Sequence, residues 1–454
     1  MNIKSIILAA GKGSRMSSDL PKVMHTIGGK PMFHHVVSTC QSLGEGSIIG
    51  VVGHGAETVI SSLSDETITW VKQKNQLGTG HAVIQAIPHI ADNDVVLIAY
   101  GDVPLVKAET LKPLCDCIGE YDYALLTTVL DDPAGYGRIV RGRGNQILEI
   151  VEEKDATNDI RKIREINTGI VAAKGANLKR WLSKLDNNNV QKEYYLTDCV
   201  AHAVAEGALI TSVDCQDPNE IQGVNNRQQQ AMLERAYQLV QAEKLMSQGV
   251  TLTDPSRLDV RGEVSVGRDV LVDINVVFVG EVNIGNNVTI EPNCIIQNAT
   301  IGSNVTIKSN SVVDDAQIGE HCDVGPFARI RPGTVLSAYS KVGNFVEIKK
   351  STIGEGSKIS HLSYIGDTEM GTNVNIGAGT ITCNYDGLNK FKTIIGDNVF
   401  VGSDTQLVAP VEIKNGSTIG AGSTITKDTP EEQLTLSRSK QISISGWVRP
   451  KKNK

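Results

Sequence analysis

A glycine-rich run follows the first short apolar stretch of this 454-residue chain. Residues 8–16 read LAAGKGSRM, and Pro21 and Lys22 follow soon after. Backbone N–H groups in such a turn can reach phosphates or a base, and Arg15 and Lys22 can neutralise a triphosphate. The small residues Ala9, Ala10 and Gly11 leave room for a nucleobase. The run is not the dinucleotide-binding fingerprint, because the third glycine and the ribose-binding acid are missing.

A carboxylate follows a second apolar run. Residues 96–99 read VLIA and are followed by Tyr100, Gly101 and Asp102. An acid at the carboxyl end of a strand in an α/β sheet is well placed to hold Mg²⁺. The alternative for Asp102 is a turn or a helix cap.

A second polar cluster lies far along the chain. His361 can take the proton from an amine that attacks a thioester, and Glu347 can orient its ring. These two residues are 14 positions apart, so we expect them at adjacent corners of a coil, not stacked. The residues near them in sequence predict a site that binds an anion and a sugar. They are Arg331, Lys349, Tyr364 and, in an insertion, Asn384, Tyr385 and Lys390. An exposed histidine without a catalytic role is the alternative. A zinc site is disfavoured, because this half of the chain has only His321 and His361 where a three-histidine site is needed.

The elements that carry these residues differ between the two halves. Residues 1–226 alternate short apolar runs with helical patterns, which predicts a mostly parallel α/β sheet with strands over 3–10, 47–53, 95–100 and 123–129. Residues 227–247 contain no Gly or Pro and are rich in helix formers. They predict one long helix, within a linker over residues 227–249.

Residues 250–454 follow a different period. From about residue 260 an aliphatic residue, often followed by Gly, recurs every six residues, as at Ile284, Ile290 and Ile296. This period predicts a three-sided parallel β-helix of roughly nine or ten coils, each hexapeptide making one flat side and one corner. The crossover rule favours right-handed coils, whereas proteins with this hexapeptide pattern are known for left-handed ones. We therefore predict a left-handed parallel β-helix by resemblance.

Composition narrows the class of protein further. The net charge is −7, with both signs mixed along the chain, so we expect neither nucleic-acid nor membrane binding. The eight cysteines form no CxxC pair, and we expect reduced thiols. No signal peptide or apolar run of about 18 residues is visible, so we expect a cytoplasmic protein.

The first half resembles the sugar-1-phosphate nucleotidyltransferases, whose signature is G-x-G-[S/T]-R-M followed by P-K. The resemblance implies a Rossmann-like fold and attack by a sugar phosphate on the α-phosphate of a nucleoside triphosphate, which releases pyrophosphate. It assigns Mg²⁺ to Asp102 and Asn225, and catalytic roles to Arg15 and Lys22. The implied substrate-binding residues are Leu8, Ala9, Ala10, Gly11, Lys22, Gln73, Gly78, Thr79, Tyr100, Gly101, Asp102, Gly137, Glu152, Asn167 and Asn225.

Nearly the whole chain resembles a family of bifunctional bacterial enzymes that act as glucosamine-1-phosphate N-acetyltransferases and N-acetylglucosamine-1-phosphate uridylyltransferases. Residues 325–329 (GPFAR), 342–347 (VGNFVE), 375–380 (NIGAGT) and 382–387 (TCNYDG) look like that family almost letter for letter. The resemblance implies that glucosamine-1-phosphate is acetylated first, with acetyl-CoA. N-acetylglucosamine-1-phosphate then reacts with UTP to give UDP-N-acetylglucosamine for peptidoglycan and lipopolysaccharide synthesis.

The same resemblance extends the second site and implies a homotrimer, with each acetyl site between neighbouring β-helices. It assigns His361 and Glu347 to catalysis and Arg331, Lys349, Tyr364 and Asn375 to the sugar phosphate. The acetyl-CoA residues are Ala378, Asn384, Tyr385, Ser403, Ala421 and Arg438. Two other classes stay open: a single-activity nucleotidyltransferase with a regulatory β-helix, and a non-catalytic assembly subunit built on the same two folds.

Overall fold

The computed structural model describes residues 2–63, 67–450 and 452. The outermost residues of the two predicted domains, 1, 453 and 454, therefore lie outside the described part. The chain divides into two compact units, Met1–Tyr237 and Gln238–Lys454. We predicted a linker over residues 227–249; the helix in the structure covers Arg227–Ser247, and the division between the units falls inside it. Within the described ranges, no helix is long and apolar enough to cross a membrane.

The first unit is built around a twisted sheet with helices beside it. Its strands are β1 (Ile3–Ala9), β2 (Thr26–Ile27), β3 (Lys30–Pro31), β4 (Gly46–Val52), β5 (Ile68–Lys72), β6 (Val95–Tyr100), β7 (Tyr123–Val129), β8 (Gly137–Arg141), β9 (Ile147–Val151), β10 (Glu165–Lys174) and β11 (Ile210–Asp214). The helices are α1 (Met32–Gln41), α2 (Ala56–Ser62), α3 (Thr79–Ile84), α4 (Ala108–Asp116), α5 (Gly175–Leu182), α6 (Asp198–Ala205) and α7 (Arg227–Ser247).

The main sheet has the strand order β11-β7-β10-β6-β1-β4-β5. Strands β6, β1, β4 and β5 are parallel, whereas β10 runs antiparallel to both β6 and β7. Both faces of the central strands are buried: Ile7 and Leu97 belong to one core cluster, and Ile6 and Ile98 to another. Because β1 and β6 are parallel neighbours, their carboxyl ends bring the glycine-rich run and Asp102 to the same edge of the sheet.

The second unit is a parallel β-helix. One side is a ladder of eleven strands: Thr251–Leu252, Leu271–Val272, Thr289–Ile290, Thr306–Ile307, Asp323–Val324, Lys341–Asn344, Lys358–His361, Asn375–Ile376, Phe400–Val401, Thr418–Ile419 and Leu434–Thr435. The other strands are Leu258–Val266, Val276–Ile284, Ile295–Gln297, Thr300–Ile301, Val312–Asp314, Ala316–Ile318, Arg329–Ile330, Thr334–Leu336, Glu347–Lys349, Thr352–Ile353, Tyr364–Gly366, Thr368–Met370, Ile381–Cys383, Thr393–Ile395, Gln406–Val408, Val411–Ile413 and Thr424–Ile425.

The coils stack in the register that the hexapeptide period predicts. Val342 pairs with Ile359, and Ile359 pairs with Ile376, so successive coils place aliphatic residues on top of one another. These inward residues form one continuous buried core. The predicted α/β domain and parallel β-helix are thus confirmed, and the left hand of the coils stays a prediction.

The first coils of the β-helix place asparagines at their corners. Asn275, Asn293 and Asn310 adopt positive φ angles of 59°, 62° and 61°, the left-handed region that Asn tolerates. Their side-chain amides form a ladder, with Asn275 donating to Asn293 over 2.9 Å. Further along the helix, bulky residues take the same backbone conformation, among them Phe345 and Leu362.

Candidate active sites

A cleft opens at the carboxyl edge of the sheet in the first unit. It is lined by most of the residues predicted to bind the nucleotide: Leu8, Ala9, Ala10, Gly11, Lys22, Gln73, Gly78, Thr79, Tyr100 and Asp102. Gln76, which the resemblance implies is part of the base-contacting segment over residues 76–80, lines it as well, and so do Val23, Ala82 and Glu193, which were not predicted. Gly101 lies beneath the lining, where its N–H donates to the carbonyl of Leu8 over 2.9 Å. The structure therefore brings the predicted base and phosphate segments together.

Charged and amide groups converge beside this cleft. Lys22 Nζ donates to Asp102 Oδ2, and it also donates to Asn225 Oδ1 over 3.2 Å. Arg15 donates to the same Asn225 oxygen over 3.0 Å. Gln229 Oε1 accepts from the backbone N–H of Asn225 over 2.8 Å and fixes the segment that carries it.

The oxygens of Asp102 and Asn225 fit a magnesium ion. Both already face one cation, the ammonium group of Lys22, so they converge on a single point. Mg²⁺ in nucleotide sites typically takes one or two protein oxygens and completes its shell with water and phosphate oxygens. No cluster of three or more acidic, His or Cys side chains that could hold a metal occurs in the described part of the chain. A two-oxygen site of this kind does not require one.

Gly13 explains why the run before Lys22 contains glycine. Its φ of +61° lies in the left-handed region, and a Cβ on it would lie 2.7 Å from Cβ of Lys22. Any larger residue would push the loop and Lys22 apart. The glycine thus allows the close approach that places the lysine beside Asp102.

The predicted sugar residues lie on the neighbouring strands. Gly137 pairs with Asn167 across β8 and β10, and a Cβ on Gly137 would approach Glu152 Oε2 to 3.5 Å. Glu152 Oε1 accepts from Thr197 over 3.0 Å, and burial raises the pKa of Glu152 above its ordinary value. These three residues therefore form one group, and Thr197 joins it as a partner that sequence reasoning missed.

A second pocket shares Tyr100 and Asp102 with the cleft. Its lining also contains Arg15 and Asn225, together with Tyr136 and Thr168, which carry no sequence signal of their own. The ring of Tyr100 lies so close to Gly169 that a Cβ there would be 2.7 Å from it. Burial raises the pKa of Tyr100, and the nearby Glu152 and Asp102 carboxylates raise it further. Its phenol therefore stays protonated and available as a donor.

In the second unit His361 is exposed and held through one ring nitrogen. Nδ1 of His361 lies 2.8 Å from Oδ1 of Asn344, the residue that pairs with it one coil earlier. Glu347, which we expected to orient this ring, instead accepts a 2.6 Å hydrogen bond from Arg331. The reason is register: Asn344 and His361 are 17 residues apart and stack, whereas Glu347 stacks on Tyr364.

Cationic and polar groups surround the inserted loop. Lys349 Nζ lies 3.7 Å from Asp367 Oδ2, and Asn384 donates to the same carboxylate oxygen. The hydrogen bond and the positive charge of Lys349 lower the pKa of Lys390. A Cβ on Gly366 would lie 2.5 Å from the hydroxyl of Tyr364 and 2.8 Å from Nδ2 of Asn384, so both groups stand over this glycine. Two adjacent ammonium groups make this a favourable place for an anion.

The other predicted residues of this site fall at neighbouring places. Asn375 pairs with Phe400 in the eleven-strand ladder, and the exposed Tyr385 donates to the carbonyl of Gly387 within the loop. Continuing the strand register places His361, Ala378, Ser403 and Ala421 at one corner of successive coils. The side chain of Arg438 donates to the carbonyl of Ala421 over 2.8 Å. The corner thus runs from the histidine along a column of small side chains to an arginine.

Both halves of the chain match known protein families. Residues 5–168 match the MobA-like NTP transferase domain, residues 260–344 the GMPPB C-terminal domain, and residues 392–427 the bacterial transferase hexapeptide family. The bifunctional protein GlmU of Marinobacter nauticus is 55% identical over 447 residues, which is 98% of each chain.

Two solved structures match about half of this chain, with low TM-scores. A nucleotidyl transferase from Methanothermobacter thermautotroptrophicus is 19% identical, with a TM-score of 0.38 over 52% of this chain and 97% of that one. A Bacillus anthracis structure described as a glucose-1-phosphate thymidylyltransferase in complex with a sucrose is 20% identical, with a TM-score of 0.42 over 51% and 95%. Both scores are below 0.5, so family membership depends on the sequence relative.

The relative covers 98% of the chain at 55% identity, and a nucleotidyltransferase domain and hexapeptide repeats both match family models. The chain therefore belongs to the GlmU family of bifunctional enzymes, which join a nucleotidyltransferase domain to a hexapeptide acetyltransferase domain for the synthesis of UDP-N-acetylglucosamine.

Proposed function

We propose that the two sites described above carry the two activities, with acetylation first. Glucosamine-1-phosphate is acetylated at His361, and N-acetylglucosamine-1-phosphate then receives UMP from UTP beside Lys22 and Asp102. The observation that carries this assignment is convergence: Lys22 meets Asn225 across 203 positions of sequence, and the ring of the expected His361 is held by Asn344 from the preceding coil. If Asp102 only closed a turn or capped a helix, this would not explain why Lys22 contacts both Asp102 and Asn225.

At the first site the protein mainly positions groups and neutralises charge. The Gln73–Thr79 segment holds the base, Arg15 and Lys22 hold the triphosphate, and Glu152 and Asn167 hold the sugar. An oxygen of the sugar phosphate attacks the α-phosphorus of UTP, and pyrophosphate leaves. Mg²⁺ bound by Asp102 and Asn225 supplies charge neutralisation at the phosphates.

At the second site His361 acts as the general base. Because Asn344 Oδ1 accepts from Nδ1, the unprotonated nitrogen is Nε2, which takes the proton from the substrate amine. The amine nitrogen forms a bond to the thioester carbonyl of acetyl-CoA, the carbon–sulfur bond breaks, and coenzyme A leaves as the thiol. Arg331, Lys349 and Lys390 hold the sugar phosphate, and Glu347 holds Arg331.

The corner column suggests where acetyl-CoA lies. Ala378, Ser403 and Ala421 present small side chains next to His361 along the helix axis, which leaves room for an extended pantetheine arm. Arg438 lies at the far end of this path, where it donates to the carbonyl of Ala421. Arg438 can contact a phosphate of the coenzyme.

We further propose a cytoplasmic homotrimer with acetyl sites between neighbouring subunits. Exposed apolar residues next to the site support a subunit contact: Phe327, Phe345 and Leu362 form a stack at one corner, with the two phenylalanine rings 5.2 Å apart. All eight cysteines are free thiols, which suits a reducing compartment.

The test measures both activities in each of two variants. The purified protein is given glucosamine-1-phosphate, acetyl-CoA, UTP and Mg²⁺, and UDP-N-acetylglucosamine is detected by mass. Asp102→Asn is expected to abolish sugar-nucleotide formation and to leave acetylation intact, and His361→Ala is expected to do the reverse. Equal damage to both activities by both variants would refute the two-site assignment, and intact acetylation in His361→Ala would leave a β-helix with a different role.

A further inference from the structure

Gln73 lies at the base-contacting end of the first cleft and is only 3% exposed. Its Nε2 is 3.1 Å from the carbonyl oxygen of Gly78 and 3.0 Å from Nδ1 of His81. A backbone carbonyl can only accept hydrogen bonds, so the Gln73 atom that faces it must be the amide nitrogen. Both N–H bonds of Gln73 are thereby assigned, one to Gly78 and one to His81.

This assignment fixes the state of the His81 ring. Nδ1 must be the unprotonated nitrogen, and the ring proton is on Nε2. Nε2 lies 3.3 Å from Gln85 Nε2, which already donates to the His81 carbonyl over 3.1 Å. Two N–H groups cannot bond to each other, so we assign the contact between Gln85 and the ring as packing.

The side-chain oxygen of Gln73, Oε1, is the polar atom of this amide that is left to bind a ligand. Oε1 receives no hydrogen bond from any residue in the described ranges, and the side chain lines the cleft. If the amide turned over, Oε1 would face two acceptors, the Gly78 carbonyl and His81 Nδ1. His81 Nδ1 is therefore one of the two hydrogen-bond acceptors that keep Oε1 of Gln73 turned toward the cleft.

We propose that His81 is a positioning residue for nucleobase selection. By holding the Gln73 amide, it presents an acceptor to the base and selects an imide N–H, as in uracil, over the bare ring nitrogen of cytosine. This inference rests on the proposed function, because it takes the Gln73–Thr79 segment as the base site. It adds a residue that does not line the cleft itself.

The test compares UTP with CTP, which differ only at the edge that Gln73 would read. Pyrophosphate release is measured with N-acetylglucosamine-1-phosphate and Mg²⁺ on the full chain. His81→Leu is expected to lower the UTP-to-CTP ratio of kcat/KM by about tenfold, the effect of one hydrogen bond. The change should fall mainly on the KM for UTP. His81→Asn, whose Oδ1 can take the place of Nδ1, is expected to restore most of the ratio.

Gln85→Ala is the matched control. It removes the other neighbour of the His81 ring without touching Gln73, so the UTP-to-CTP ratio should stay at the wild-type value. The inference is overturned if His81→Leu leaves the ratio unchanged or if Gln85→Ala lowers it equally. If His81→Leu does not fold, His81→Ala removes the acceptor with a smaller side chain. Gln73→Leu separates the two claims, because an unchanged ratio in that variant would show that the base site itself is misplaced.

Discussion

At the scale of single residues, His361, the proposed general base, depends on a neighbour one coil away. Asn344 Oδ1 lies 2.8 Å from Nδ1 of His361 and fixes which ring nitrogen carries the proton. An asparagine does this without adding charge, unlike the carboxylate we expected from Glu347.

Replacing Asn344 by Leu should therefore weaken acetylation. Without Asn344 the ring loses the acceptor that orients it. We expect kcat for acetyl transfer to fall by about 10- to 100-fold, the effect typical of a residue that orients a metal-binding histidine. The KM for acetyl-CoA should change little, because His361 separates Asn344 from the small residues Ala378, Ser403 and Ala421 along that corner. Glu347→Gln is the matched comparison, and its main effect should be a higher KM for glucosamine-1-phosphate through Arg331. A drop in kcat with Glu347→Gln and none with Asn344→Leu would return the orienting role to the glutamate.

At the scale of elements, the sequence predicted which segments meet but not the exact partner of each side chain. The parallel neighbours β1 and β6 bring Arg15, Lys22 and Asp102 to one sheet edge, as their positions after apolar runs predicted. In the β-helix, a hexapeptide count places residues about 18 apart in one column. The actual spacing between Asn344 and His361 is 17, because a residue is lost at a corner. A shift of one residue changes which side chain reaches the ring, so a strict count of 18 misses Asn344.

The inserted loop makes acetylation sensitive to alkaline pH. It brings Lys390 beside Lys349, and the hydrogen bond and charge of Lys349 lower the pKa of Lys390. Lys390 therefore loses its proton at a lower pH than an ordinary lysine, and the phosphate loses one counter-charge with it. We expect the KM for glucosamine-1-phosphate to rise on the alkaline side, below the pH at which an ordinary lysine titrates.

Lys349→Met tests the cause of this pH dependence. Removing Lys349 lets the pKa of Lys390 return toward its ordinary value, so the alkaline rise in KM should move to higher pH. At neutral pH the KM should be higher than in the wild type, because one cation is gone. The substrate amine titrates identically in both proteins and cancels in the comparison. A rise in KM at the same pH in both proteins would show that Lys390 is not the titrating group.

At the scale of the whole molecule, each unit has its own hydrophobic core. The aliphatic column of the β-helix forms one cluster, and the α/β sheet is buried by separate clusters on its two faces. Composition and period were sufficient to predict this division, because a hexapeptide repeat and an alternating α/β pattern bury their apolar residues in different ways. The left hand of the coils and the number of subunits follow from no periodicity in the chain.

The separate cores predict separate losses of activity. Ile359 is fully buried between Val342 and Ile376, in the coil that carries His361. Ile359→Ala removes buried methyl groups and is expected to destabilise the β-helix by about 2–5 kcal/mol. Since coils in a solenoid contact mainly their neighbours, the damage should spread along the β-helix and end acetylation at a lower temperature. The wild type and Ile359→Ala are heated in steps and assayed for both reactions. Ile359→Ala should lose uridylyl transfer at the same temperature as the wild type. Equal shifts in both inactivation temperatures would mean that the two units unfold together.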